Sequence, residues 1–380
     1  MKIAVITSLA GPGSVAGGVW EVVVNQVTAL CTAGHEVTLV AGWLGQDPPQ
    51  ELRGLPVSLV PVRPIIKQMG LRFLVGRGWI ETVRSALKDA DLAHIHVCRD
   101  YLSLSAARTA QRMRIPFVVQ PHGMLSAPKN LLFKGFDRIL TRPALKQVAH
   151  FVTLTDAEVP HLSTFGVAAL GNTTIHNAVP LPTLTWSPPK GPQRLLFASR
   201  LHPRKQVMVF AESVKRLREL GHDVQGVIAG SDEGDLAELH RFCSTAADSN
   251  GLQYIGQLSR EELNRELTTA TAFVFPARNE PFGLVLVEAL SIGTPVVSTT
   301  ETPLMSIISD AGAARFAEPT VDRFTEALAA LLTDQAAQTE LSHKGRQLYR
   351  ERWTNEAMVQ NLTAMYSDVL GRTPARTVRF

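Results

Sequence analysis

The feature that most constrains this chain is an alternation that runs along it twice. Short apolar runs of strand length are followed by amphipathic stretches of helix length. Strand candidates are KIAVIT (2–7), EVTLVAG (36–42), VSLVPV (57–62), LAHIHV (92–97), PFVVQPHG (116–123) and HFVTLT (150–155), with helix candidates at 19–33, 79–89, 101–113 and 156–165. Near-continuous apolar strands between helices require a mostly parallel sheet covered on both faces. At 179–193 the pattern stops: VPLPTLTWSPPKGPQ holds five prolines and no periodicity, and reads as a linker. Alternation then resumes with RLLFAS (194–199), VQGVIAG (224–230), LQYIG (252–256), AFVFPA (272–277) and PVVST (295–299). The expected fold is α/β, with Rossmann-like domains at 1–182 and 193–354. A late helix and tail, 355–380, would cross back onto the first domain.

Length and composition agree with that reading. The 380 residues are enough for two cores, and 45% hydrophobic against 19% charged residues marks a globular chain. No apolar run reaches 18 residues, so no transmembrane helix is expected. MKIAVITSLAGPGS is too short and too interrupted for a signal peptide, and reads as a first strand and its loop. Cys31, Cys98 and Cys243 are few and scattered, which fits reduced thiols in the cytoplasm and no metal framework. Residues 1–182 carry 17 Lys/Arg against 11 Asp/Glu, a balance of +6; the remainder carries 21 against 23, or −2. The first half suits an anionic partner or membrane surface, and its excess is too modest for nucleic acid.

The stretch EPFGLVLVE (280–288) brackets seven uncharged residues with Glu280 and Glu288. It follows a buried strand and enters a helix that Gly293 would end. Glu280 therefore belongs to a loop at the C-terminal end of a strand, where open α/β sheets bind ligands. Glu288 belongs one or two turns into the helix, where a carboxylate can accept hydrogen bonds from both hydroxyls of a ribose. N–H groups of Phe282, Gly283 and Leu284 can meet phosphate or sugar oxygens from the helix start. SRLHPRKQV (199–207) places Arg200 and Lys205 after another strand, where two cations can clamp a diphosphate and stabilise it as a leaving group. Against these readings stand helix capping and a solvated basic loop.

The first loop, LAGPGSVAGGVWEVV (9–23), is glycine-rich between strand and helix and can approach an anionic ligand. A dinucleotide site would want an acid at the end of the second strand. That strand ends in Ala41 and Gly42, with Glu36 at its start, so a nicotinamide cofactor is disfavoured. His94 and His96 form an i, i+2 pair that suggests metal, but no third ligand is evident. DAD (89–91) imitates a metal motif yet suits helix termination. FKGFDRILTRPALKQ (133–147) repeats Lys134, Arg138, Arg142 and Lys146 every four residues among Phe133, Phe136 and Ile139. It reads as a solvated helix face or as a surface that docks on an anionic bilayer, with Pro143 kinking the helix.

Together ASRLHPRKQV, VIAGSDEG, YIGQLSREEL and ARNEPFGLVLVEALSIGTPVV resemble the donor-binding half of glycosyltransferase family 4. GGVWEVV, HIHV, QPHGMLS and TTIHNAVPL resemble its acceptor half. These are retaining enzymes of the two-Rossmann-domain GT-B architecture, whose domains face each other across a deep cleft. The resemblance implies that Arg200 and Lys205 bind the donor diphosphate and that Glu280 contacts the donor sugar beside Pro281, Phe282, Gly283 and Leu284. It implies that Glu288 holds the ribose, that His122 approaches the transferring sugar, and that Gly17 and Gly18 face the diphosphate and acceptor. The backbone at Gly256 to Leu258 would frame the base. Ala178 and Gln206 depart from the family, which more often has Gly at the first and Gly or Asn at the second. The expected activity is metal-independent, retaining transfer of a hexose-type sugar from a nucleotide-diphosphate sugar, UDP- or GDP-linked, to a sugar or lipid-linked acceptor. No cofactor is expected, because the nucleotide sugar is a substrate. The setting would be cell-surface polysaccharide or glycolipid synthesis, in the cytoplasm or peripherally at the inner membrane. A nucleotide-sugar epimerase of the same architecture is the alternative; an exported sugar-binding protein and a dehydrogenase fit less well.

Overall fold

The computed structural model describes residues 1–11, 17–45, 47–52, 54–65, 72–126, 131–163, 171–244, 251–280 and 282–372. The chain divides into two compact units, Met1–Ala178 with Asn355–Phe380, and Val179–Thr354.

In the first unit β1 (Lys2–Ala10) leads through the first loop to α1 (Gly17–Thr32) and β2 (Glu36–Trp43). A short edge strand β3 (Glu51–Leu52) pairs antiparallel with β4 (Leu55–Pro61), and β5 (Arg63–Pro64) with β6 (Leu74–Val75) makes a separate ribbon. Then follow α2 (Trp79–Lys88), β7 (Leu92–His96), α3 (Tyr101–Met113) and β8 (Phe117–Gln120). After α4 (Leu131–Phe136) and α5 (Arg142–Leu145) come β9 (His150–Thr153), α6 (Val159–Ser163) and β10 (Asn172–Thr174). The strand order is β10-β9-β8-β7-β1-β2-β4-β3, parallel except at the β3 edge, and it reverses between β1 and β7.

Alternation along β7 decides what faces what. Ala93, Ile95 and Val97 enter the core under α2 and α3 with Trp79, Val83 and Leu102. The opposite face of the sheet packs on Trp20, Val23 and Leu30 of α1, and on α14 (Asn355–Arg372). Met358, Val359, Leu362, Met365, Tyr366 and Val369 recur at helical spacing and are buried. Each such side chain contributes roughly 1.5–3 kcal/mol of burial, so α14 is integral to the first unit. The late helix expected from the sequence therefore does return to the first domain.

The second unit has β11 (Gln193–Ala198), α7 (Val207–Glu219), β12 (Val224–Ala229), α8 (Leu236–Ser244), β13 (Leu252–Tyr254) and α9 (Arg260–Thr269). It continues with β14 (Ala272–Phe275), α10 (Leu284–Ile292), β15 (Val296–Thr299), α11 (Met305–Asp310), β16 (Arg315–Ala317), α12 (Val321–Leu332) and α13 (Gln335–Arg352). All six strands are parallel in the order β13-β12-β11-β14-β15-β16, with the reversal between β11 and β14. The α10 helix is buried all round from Leu286 to Ile292, as a helix without a polar face must be. Gly293 ends it at φ 89°, with its N–H on Ala289 O at 3.0 Å; a Cβ there would lie 2.7 Å from Ser342 Oγ.

Two details differ from the sequence reading. The proline-rich stretch belongs to the second unit, because Trp186 anchors it. Its N–H donates to Ile292 O (2.9 Å) and its indole Nε1–H to Ala270 O (2.7 Å), with the ring buried. The basic stretch at 133–147 is no single kinked helix. A π-helical turn, Asp137–Thr141, separates α4 from α5, and the Arg142 N–H reaches back to Asp137 O. Pro143 has no N–H and crowds the carbonyl four residues before it, and the wider turn relieves that crowding.

Candidate active site

Each unit gathers polar side chains at the C-terminal ends of its strands, around its own point of reversal. In the second unit a 3₁₀ turn, Pro203–Lys205, follows β11. His202 caps it by accepting from Arg204 N at 3.1 Å. The turn ends at Gln206 with φ 57°, a left-handed conformation, which explains why Gly or Asn suits this position and what the Gln departs from. At the other departure, Ala178, φ is not left-handed among the described backbone outliers, so its Cβ is tolerated.

This geometry aims Lys205 inward. It is 5% exposed, its Nζ lies 2.5 Å from Glu280 Oε2, and the Phe275 ring centroid is 5.1 Å away. Burial lowers the Lys205 ammonium from its ordinary range, and the Glu280 carboxylate opposes that shift. A donated bond from Arg278 N to Arg204 O (2.7 Å) joins the loops after β14 and β11. Arg200 donates from one nitrogen to both oxygens of Glu233, each at 2.8 Å. Glu288, in the second turn of α10, is 8% exposed and faces Arg260 at 3.6 Å.

The structure thus brings Lys205 to Glu280, pairs Arg200 with Glu233 and Glu288 with Arg260. Gly283 stands at φ 87° as the residue before α10, with no side-chain cap on that helix start. Phe282 is buried, Leu284 and Leu258 are half-buried, and Gly256 turns at φ 76°. Pro281 lies outside the described residues. Sequence reasoning gave no role to Glu233 or Arg260, because nothing local signals a pair 33 or 28 residues apart. It also missed Gly230. With φ 146°, its missing Cβ would lie 1.8 Å from Ser199 O, so only glycine lets β12 end this close to the Arg200 loop.

In the first unit Gly17 and Gly18 open α1, and a Cβ at Gly18 would meet nothing within 4 Å. His122 lies elsewhere, just past β8. Met124 N donates to Pro121 O (2.9 Å), closing a tight turn in which His122 (φ 51°) and Gly123 (φ 74°) are both left-handed. A β-carbon is disfavoured at such an angle, so the turn is held from outside. Glu158, also unforeseen, does this: its carboxylate accepts from Gly123 N (3.0 Å) and Leu154 N (2.9 Å), tying the ends of β8 and β9. Burial raises the Glu158 carboxyl, and these backbone bonds oppose the rise.

Behind His122 stand the two β7 histidines. His96 Nδ1 is 2.7 Å from His122 Nε2; the His94 and His96 rings are stacked at 4.7 Å. His94 Nδ1 is 2.5 Å from the Tyr366 hydroxyl of α14 and 3.1 Å from Gln26 Nε2 of α1. Burial pushes His94 and His122 down to about 3, so both imidazoles are neutral near pH 7; His96 is lowered too, by burial and by repulsion from its neighbours. Among the described residues no group of three His, Cys, Asp or Glu side chains could hold a metal. Asp89 sits at the C-cap of α2 and Asp91 accepts from Lys2 N (2.7 Å), which is helix termination and strand docking. Asp100 caps α3 and accepts from Ser8 and Ser103 at 2.7 Å each.

Comparison with known proteins agrees with this picture. Residues 17–178 match the family described as Glycosyl transferase 4-like domain, and residues 185–348 match Glycosyl transferases group 1. A phosphatidyl-myo-inositol mannosyltransferase of Mycolicibacterium smegmatis is 28% identical over 356 residues, 90% of this chain and 88% of the relative. A glycogen synthase of Mycobacterium tuberculosis is 26% identical over 374 residues, 88% of this chain and 87% of the relative. Among solved structures, Anabaena Alr3699/HepE in complex with UDP superimposes with a TM-score of 0.77 at 16% identity, over 97% of this chain and all of the other. That likeness shows the fold.

Proposed function

The chain belongs to the family 4 glycosyltransferases of GT-B fold, and from that premise we propose that it moves a hexose-type sugar from a nucleotide-diphosphate donor to an acceptor hydroxyl with retention of configuration. The observation that carries the reading is the cation set at the β11–β14 reversal, where Lys205 and Arg200 stand beside Glu280 and the start of α10. Such cations stabilise a diphosphate as it departs, which is the role a metal ion plays elsewhere. Glu280 would orient the donor sugar, with Pro281, Phe282, Gly283 and Leu284 beside it. Glu288 would accept from the ribose hydroxyls, and Gly256 and Leu258 would border the base. Gly17 and Gly18 would lie toward the diphosphate and acceptor.

In the reaction the bond from the anomeric carbon to the phosphate oxygen breaks. The acceptor oxygen bonds to the same face of that carbon, and the acceptor proton passes to the departing phosphate. A carboxylate nucleophile is the alternative for retention. In the first unit Asp100, Asp137 and Glu158 are each committed: to a helix cap and two hydroxyls, to Arg99 and Thr141, and to two backbone N–H groups. This supports front-face transfer. Two relatives, one named a phosphatidyl-myo-inositol mannosyltransferase and one a glycogen synthase, support a hexose donor and a lipid-linked or sugar acceptor. Leu131, Leu132 and Ile139 are exposed beside Lys134 and Arg138, which supports peripheral docking on an anionic membrane at its cytoplasmic face. Among the described residues no helix is long and apolar enough to cross one.

A thermal-shift panel of UDP-, GDP-, ADP- and TDP-sugars with EDTA present tests the donor site. One of them should raise the melting temperature, and release of its sugar should then depend on added acceptor. Sugar conversion without any acceptor would favour an epimerase instead.

A further inference from the structure

His96 and His122 meet in an unusual way. Their ring planes differ by 16° and their centroids lie 5.0 Å apart, yet His96 Nδ1 and His122 Nε2 are only 2.7 Å apart. The two distances differ by about the width of one imidazole. The rings therefore meet edge to edge in nearly one plane, and the short distance is a well-aligned hydrogen bond. One of the two nitrogens carries the proton.

The surroundings of His96 assign it. His96 is 2% exposed, and its other nitrogen, Nε2, is buried with no hydrogen-bond partner among the described residues. A neutral imidazole has one N–H. If that proton sat on Nε2 it would be a buried donor without an acceptor, which folded proteins avoid more strictly than an unused acceptor. The proton belongs on Nδ1, where it donates to His122 Nε2. The rings are held in place for this: His94 stacks on His96, with Gln26 and Tyr366 against its Nδ1, while Glu158 grips the His122 turn.

We propose that His96 is a positioning residue that fixes the tautomer of His122, so that His122 offers Nδ1–H as a hydrogen-bond donor to an oxygen of the transferring sugar and does not act as a base. This rests on the reading that His122 approaches that sugar. Burial supports it by keeping both rings neutral.

Nitrogen-15 NMR on histidine-labelled wild-type protein decides the tautomer directly. The His122 Nδ1 should resonate as a protonated nitrogen and Nε2 as a bare one; the reverse pattern overturns the proposal, whatever the variants do. Kinetically, His96→Leu should lower kcat at least tenfold with little change in the KM for the donor. His96→Asn, whose amide nitrogen sits where Nδ1 was, should recover most of that loss. Wild-type turnover in His96→Leu would overturn the positioning role. His122→Ala keeps the two readings apart: full turnover there removes His122 from the reaction, while the tautomer measured by NMR still stands or falls alone.

Discussion

The side chains around Lys205 in the second unit and those around His122 in the first are built on different electrostatic plans. In the second unit the polar side chains at the strand ends carry full charges arranged as pairs: Lys205 with Glu280, Arg200 with Glu233, Arg260 with Glu288. In the first unit a column of three imidazoles runs from the middle of β7 to the turn after β8, two of them neutral down to about pH 3. A charged pair can open and give its cation to an arriving diphosphate, because one anion replaces another. A neutral column exchanges nothing; it offers fixed donors and acceptors to a sugar, which is itself uncharged. The difference matches what each region would have to hold.

The largest effect expected concerns Lys205. Lys205→Met should lower turnover by about 10²–10³, the usual loss on removing a charge-stabilising donor from a transition state. It should also destabilise the fold, since half-buried Glu280 is left without its cation beside an apolar chain. The double variant Lys205→Met/Glu280→Gln should regain stability without regaining turnover. Recovery of both in a steady-state assay would make this pair structural and erase the contrast.

Acid should expose the neutral column. Unfolded histidine takes up its proton near pH 6.5, whereas folded His94 and His122 resist until about pH 3. As pH falls below 6.5 the unfolded chain binds more protons than the folded one. Stability is therefore full above 6.5 and is lost on the way to 3, at up to about 1.4 kcal/mol per pH unit for each histidine. Urea midpoints between pH 7.5 and 5 check the slope, which the Glu158 and Asp100 carboxyls, raised by burial, oppose. A flat profile in a variant with Glu158 replaced by Gln would mean that the column is hydrated.

Gly230→Ala probes the backbone on which the charged region is mounted. The conformation alone should cost roughly 1–3 kcal/mol, before the clash with Ser199 O is relieved. The urea midpoint should fall, and donor binding should weaken with it as the Arg200 loop shifts. The smallest effect belongs to Glu233→Ala, which frees Arg200. The Arg200 side chain is 44% exposed, so the pair is worth only about 0.2–1 kcal/mol. Donor affinity measured by calorimetry should tighten by no more than a few-fold, and less at high salt. Weaker binding would show that Glu233 itself holds the donor.

The alternation of strands and helices was legible because strand and helix periods are local. So was the placement of Glu280 and Lys205 at strand ends, since the loops that hold them adjoin their strands. The histidine column was not. His94 and His96 read as a possible metal pair without a third ligand, because a sequence shows their i, i+2 spacing and not what lies across the sheet. Only the register that sets His96 beside Gln120, followed by a left-handed turn at His122, brings the third ring to them. Trp186 hid for a related reason: five prolines suggested a free linker, and a single buried indole outweighed them. The partners Glu233, Arg260 and Glu158 depend on loop geometry and carry no periodic signal.

One packing detail reaches beyond the folded enzyme. The last described helix, α14, buries six side chains in the first unit, and the 176 residues of Val179–Thr354 precede it along the chain. At about 5–20 residues per second of synthesis, α1 and its sheet wait roughly 10–35 s on the ribosome for their missing wall. During that interval Val23, Leu30 and the surface that will meet Tyr366 stay uncovered. A nascent chain of this protein thus spends much of its synthesis with an open apolar flank. A chain ending before residue 355 would keep that surface uncovered.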